Sequence, residues 1–204
     1  MNYDLKHSDL SMVLAEGRLV ADETTRAFGQ LSAEQLNWKP SKREWSIGQC
    51  FDHLIISNRP YLPIIEEIRK GKWRQRAWER VPLLPRLFGK LLIRTLRADS
   101  RRGVKARPAF YPSTSLFTAG IITSFIEQQD RLLHLMEATR GLNGITITSP
   151  AVRLITYSLM DAYRIIVVHE QNHFVQARRA MKLPGFPGHA PFAGSSRAQW
   201  PIRR

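Results

Sequence analysis

Apolar side chains recur along most of this chain at steps of three and four residues, the period of a helix with one buried face. From about residue 5 to 29, the positions Leu10, Val13, Leu14, Gly17, Ala21, Thr24 and Phe28 form one stripe, while Glu16, Arg18, Asp22 and Arg26 fall mostly off it. A short turn follows at Leu31–Leu36, then a loop from Asn37 to Trp45 that contains Pro40. A second stripe begins after Ser46 with Ile47, Cys50, Leu54, Ser57, Tyr61, Ile64, Ile65 and Ile68, and Gly71 ends it. Ser46 followed by Gln49 is a capping-box pattern, in which hydroxyl and amide each satisfy a backbone N–H of the first turn. Pro60 and Pro63 predict a kink or a division of this helix. A third helix is expected from about Ser115 to Thr139, with Ile122, Phe125, Gln129, Leu132, Leu133 and Met136 inward. A fourth, from about Ala151 to Met181, carries Ile155, Leu159, Ala162, Ile165, Ile166, His169, His173, Ala177 and Ala180 on one stripe. No strand pattern and no internal repeat stands out. Four long amphipathic segments predict an all-α fold, a four-helix bundle with long crossover connections, in one domain over residues 1–204.

The segment between the second and third helices changes the picture. The chain has 204 residues and a formal net charge of +14. Twelve of those charges lie within residues 69–107, so the rest of the protein is close to neutral. This is a basic insertion at about 70–113. Within it, Arg86–Arg97 reads as a helix with Leu87, Leu91, Leu92 and Leu96 on one side and Arg86, Lys90, Arg94 and Arg97 on the other. Trp73 and Trp78 precede that helix, and the combination suits an anionic membrane surface, an acidic partner or an anionic substrate. No helix-turn-helix, zinc-finger or RNA-binding pattern accompanies the charge, which ranks nucleic acid lower. The tail at about 182–204 is rich in Pro and Gly and has no period.

The chemistry gathers on the fourth helix, in His169-Glu170-Gln171-Asn172-His173. Histidines four apart share a helix face, so both imidazoles can reach one metal ion. They also lie on the apolar stripe, where an imidazole needs a hydrogen-bond partner or a metal. The string matches the zincin motif, but no Asp or Glu follows Glu170 and the metzincin positions hold Gln176 and Arg179. A third ligand must come from elsewhere. His7, His53, His134 and His189 are the candidates, and position favours His53, two turns into the second helix beside Leu54. Glu170 points about 100° from His169 around the helix, which suits a surface carboxylate better than a general base. Asp161, two turns before His169, is expected at the cavity or in an interhelical salt bridge. Cys50, one turn before His53, is expected near the site or in simple packing, and Trp38 and Trp45 as a lid that fixes the loop before the second helix.

Trp38, Pro40, Trp45, Ser46, His53 and Leu54, followed by a late helical His169-x-x-x-His173, resemble the DinB-like superfamily of metal-binding four-helix bundles. Helix order and the placing of the long connections agree over roughly residues 5–181. The resemblance implies one metal ion held by His53, His169 and His173, with open positions for water or substrate. Relatives with known activities include bacillithiol transferases and mycothiol-dependent maleylpyruvate isomerases, so a low-molecular-weight thiol is an implied co-substrate. Gln49 stands where this family commonly has Glu, and the insertion and tail are untypical of its short members.

Two functions are therefore expected in parallel. The first is a metal-dependent transferase or hydrolase acting on a small molecule, its ion being zinc, nickel or iron, since imidazole suits all three. The alternative is a non-catalytic binding or stress-related protein that docks through the basic insertion. A homodimer is a further expectation. One cysteine, Cys50, suits a reducing compartment, and no apolar run approaches the roughly 18 residues of a membrane span. A cytoplasmic protein is expected, attached peripherally if the insertion binds lipid.

Overall fold

The computed structural model describes residue 5 and residues 8–75, 108–152 and 155–188. The expected helix at Arg86–Arg97, most of the insertion, the tail beyond 188, His7 and His189 lie outside the described residues. Within them the fold is all-α, as the stripes predict, with one small hairpin. In chain order the helices are α1 (Leu10–Phe28), α2 (Ala33–Asn37), α3 (Ile47–Asn58), α4 (Tyr61–Arg69), α5 (Gly120–Ala138) and α6 (Leu159–Ala180). A single 3-10 turn lies at Pro108–Phe110.

Local chemistry sets these boundaries. The Asp9 carboxylate accepts from the Met12 N–H and starts α1 there, so Leu5 is buried in the core without being helical. Ser32 with Gln35 and Ser46 with Gln49 form complete capping boxes at α2 and α3. The second predicted helix divides at Pro60, which has no N–H to donate to the Ile56 carbonyl of a continuing helix. Pro63 is tolerated because it falls in the first turn of α4.

Three expectations need correction, the absence of strands and the starts of two helices. The hairpin pairs β1 (Thr146–Thr148) with β2 (Thr156–Ser158) antiparallel, Ile147 opposite Tyr157. Successive β-branched residues at 145–148 favour extended backbone, and the run is too short for its period to stand out. The fourth helix consequently starts at Leu159 instead of Ala151, capped by the Ser158 hydroxyl on the Asp161 N–H. Ile155 belongs to the hairpin and not to the helix stripe. The third helix begins at Gly120, five residues after the expected Ser115.

α1 packs on α5 and α6, and α3 packs on the same two. Apolar side chains gather in two clusters. One joins the start of α1, α4, the hairpin, the end of α5 and the start of α6. The other joins the end of α1, α2, α3, the start of α5 and the end of α6 with Phe186. So α1 and α6 run from the first cluster to the second, whereas α3–α4 and α5 lie the opposite way round or return between them. α3–α4 leads from the second cluster to the first, so α4 ends at the first cluster and α5 begins at the second. Residues 182–188 pack against α2: Phe186 meets the Trp38 ring edge-on at 5.6 Å, and the Gln35 amide donates to the Pro187 carbonyl at 3.0 Å.

Candidate metal centre

His53 is held by α3, and His169 and His173 by α6, which packs directly against it. The three rings converge, with centroids 4.7–5.0 Å apart pairwise. One nitrogen from each lies within 4.8 Å of the other two, a group that could hold a metal ion. His53 is buried and the other two are partly buried.

The hydrogen bonds fix a tautomer. The Phe110 carbonyl accepts from His53 Nδ1 at 2.6 Å, so that nitrogen carries the proton and Nε2 presents a lone pair. That lone pair faces His169 Nε2 at 3.1 Å. Two imidazoles bound to one ion at about 2.0–2.1 Å would bring their nitrogens to a similar separation. Burial is the leading cause that lowers the pKa of all three rings, holding His169 well below the usual imidazole range and His173 at about 3. The neighbouring rings push His169 and His173 further the same way, while a hydrogen bond with the Gln176 side chain opposes the shift at His173. All three are therefore neutral at pH 7, the state a metal requires. Nδ1 of His173 is buried and has no hydrogen-bond partner among the described residues. Donor type and protonation state both fit a divalent ion.

The end of the basic insertion and the residues that follow it form a strap that completes one wall. After the Phe110 carbonyl reaches His53, the Ser113 N–H and hydroxyl both donate to Asp52 Oδ2, at 2.5 and 2.9 Å. The Phe117 backbone then pairs both ways with the Asn37 side chain at 2.7 Å. Phe117 can sit there because Gly48 has no side chain; a Cβ at 48 would lie 2.6 Å from its ring.

Other candidates fall elsewhere. His134 is exposed on α5. Cys50 is buried in the second cluster, and burial pushes its thiol up to about 12, so it stays protonated and inert. Asp161 is not brought to the histidines and, among the described residues, makes no interhelical pair. It accepts from Ser158 and from Arg164 within α6, because an N-terminal turn attracts a carboxylate and Arg164 lies one turn on. Trp38 packs on the tail as a lid does, but Trp45 stands at the site. Its ring stacks on His173 at 5.8 Å and 21°, and tilts over His53 at 4.8 Å.

Glu170 is the largest correction. The surface reading fails, since it is fully buried. Asn58 Nδ2 of α3 donates to one oxygen at 2.7 Å and Gln129 Nε2 of α5 to the other at 2.8 Å. The Gln129 amide also reaches the Gly17 carbonyl of α1 at 3.3 Å. One carboxyl thus ties four helices together, with its oxygens turned to these amides and not to the imidazoles. Burial raises its pKa to about 8 against the opposing pull of both amides. Gln129 was visible as a polar residue on an apolar stripe, which is the signal for such a partner; Asn58 carried none.

An all-α protein with a three-histidine cluster across two packed helices is the class these observations define. The family model of the DinB superfamily matches residues 18–177, and the chain belongs to that superfamily. No curated protein and no solved structure matches the chain. Among the described residues, no helix is long and apolar enough to cross a membrane.

Proposed function

We propose that this protein is a metal-dependent enzyme, a transferase or hydrolase that acts on a small molecule, with His53, His169 and His173 as the ligands. The convergence of three neutral imidazoles from two helices carries this reading. Three nitrogen ligands with a position left open is the catalytic arrangement and not the closed structural one. A divalent ion bound there, zinc, nickel or iron, supplies Lewis acidity that activates water or a low-molecular-weight thiol. The chain's own part is positional. Phe110 holds the His53 tautomer, α6 presents two ligands on one face, and Trp45 covers one side against water. Cys50 and Glu170 are not needed as nucleophile or base, since one is an inert thiol and the other is bound to amides. The test is metal content by mass spectrometry on untagged protein. One ion per chain is expected in the wild type and almost none in His169→Ala; equal, sub-stoichiometric metal in both would overturn the reading.

A second reading, compatible with the first, concerns location. The net charge concentrated in residues 69–107 supports docking of that segment on an anionic membrane or an acidic partner. Trp73 packs against the core and Gln75 reaches the Thr146 carbonyl, so a deletion that spares the fold removes 76–107. Co-sedimentation with phosphatidylserine vesicles should be lost on that deletion, and undiminished binding would count against docking.

A further inference from the structure

The two outer ligands are held in different ways. A metal-bound histidine ordinarily donates its second nitrogen to a carbonyl or carboxylate, which sets the plane of its ring. His53 has that support from the Phe110 carbonyl. His173 does not: its Nδ1 is buried without a partner among the described residues. Among the described residues, its one close aromatic neighbour other than the fellow histidines is Trp45, almost parallel to it at an offset-stacking distance. The same indole leans on His53, so one side chain contacts a ligand from each helix. Trp45 is itself fixed, because the next residue, Ser46, is the N-cap of α3 and closes both halves of its capping box.

We propose that Trp45 is a positioning residue of the metal centre, setting the ring plane of His173 by stacking where the other ligand uses a hydrogen bond. The inference rests on the metal-site reading above but makes a claim of its own about the imidazole. A flat ring against His173 restricts the rotation of an imidazole whose buried Nδ1 has no hydrogen-bond partner among the described residues. An ion then meets a preorganised ligand. A residue of similar bulk without a flat face would fill the space and leave the ring free.

The test uses the full chain as wild type, Trp45→Phe and Trp45→Leu. In the metal-free state, NMR of the imidazoles reads the stack directly. A His173 carbon-bound proton is expected upfield in the wild type, partly so in the Phe variant, and at an ordinary position in the Leu variant. Cobalt(II) titration followed by visible absorption then reads the consequence. The Leu variant is expected to bind about 10–100-fold more weakly with an altered absorption band, and the Phe variant within about threefold of wild type. A Leu variant with wild-type imidazole shifts and wild-type cobalt affinity would overturn the proposal. If the wild type takes up no cobalt, the metal reading fails, and the imidazole shifts alone decide whether Trp45 orients His173. Trp45→Met replaces the Leu variant if that one does not fold.

Discussion

Two polar clusters meet at neighbouring residues of α6, and they are built for opposite ends. His169 and His173 bring lone pairs together with His53 and leave a buried nitrogen unpaired. Glu170, one residue along, has both oxygens occupied by amides from α3 and α5. Its network falls between the two apolar clusters, where four helices cross. A carboxyl paired in this way in a low-dielectric interior rigidifies and specifies a fold, although Gln129 Oε1 has no partner among the described residues. An open cluster stores unsatisfied potential for a ligand. One five-residue string therefore holds a fastener and two members of the three-histidine cluster, set apart by the rotation of a single residue around a helix.

Breaking each cluster should cost different things. Glu170→Ala removes the acceptor of the Asn58 amide, leaves Gln129 Nε2 only the Gly17 carbonyl and opens a cavity at the four-helix crossing, and should lower stability by about 3–5 kcal/mol. His173→Ala removes a partly buried ring that makes no hydrogen bond through Nδ1, and should cost less than about 2 kcal/mol in the metal-free protein while removing metal binding. Urea unfolding of both, without metal, measures this. Equal costs would show that the clusters are not different in kind.

The pH dependence should separate them by sign. Glu170 has a raised folded pKa, about 8 against 4.5, so the folded chain holds its proton longer than the unfolded one. Its contribution to stability is present below about 4.5 and is lost as pH rises toward 8. The imidazoles are lowered from 6.5, so the unfolded chain takes up protons first, and stability falls as pH drops below 6.5. The two oppose one another from about 4.5 to 6.5. Above about 6.5 only the carboxyl acts. Unfolding free energies of the metal-free protein from pH 4 to 9 (about the range set by these groups) should fall between about 6.5 and 8, and Glu170→Gln should flatten that fall. His173→Ala should instead flatten the acid side. A Glu170→Gln profile parallel to wild type would remove the carboxyl from the explanation.

These contrasts also mark what the chain's pattern can and cannot reveal. The meeting of His169 and His173 was legible because i, i+4 spacing is a local property of a helix, and the place of His53 beside them followed from its position two turns after a capping box. The helix start at Ile47 was legible for the same reason, whereas α2 was read only as a short turn. What escaped depends on residues far apart in sequence. Glu170 sits on the polar side of the stripe, and only the arrival of Asn58 and Gln129 from other helices makes that side interior. The hairpin has two three-residue strands, too few for alternation to compete with the helical period around it. Trp45 looked like a loop anchor because nothing local shows that α6 brings His173 beneath it.

The smallest expected effect sharpens the comparison at the helix starts. Ser46 caps α3 beside Trp45 and two turns from His53, whereas Ser158 caps α6 at the far end from its histidines. Each hydroxyl satisfies one N–H at the start of its helix, so Ser46→Ala and Ser158→Ala should each cost about 1 kcal/mol. Their effects on the metal site should differ. Without the Ser46 hydroxyl the first turn of α3 frays, and Trp45 and the ring below it loosen with it. Cobalt affinity should fall about threefold in Ser46→Ala and stay unchanged in Ser158→Ala, a small part of the roughly 10–100-fold range of a lost ligand support. Matched stabilities with divergent affinities would tie the site to the α3 cap through Trp45. Matched affinities would mean that the indole is held by the rings it covers and not by the helix it precedes.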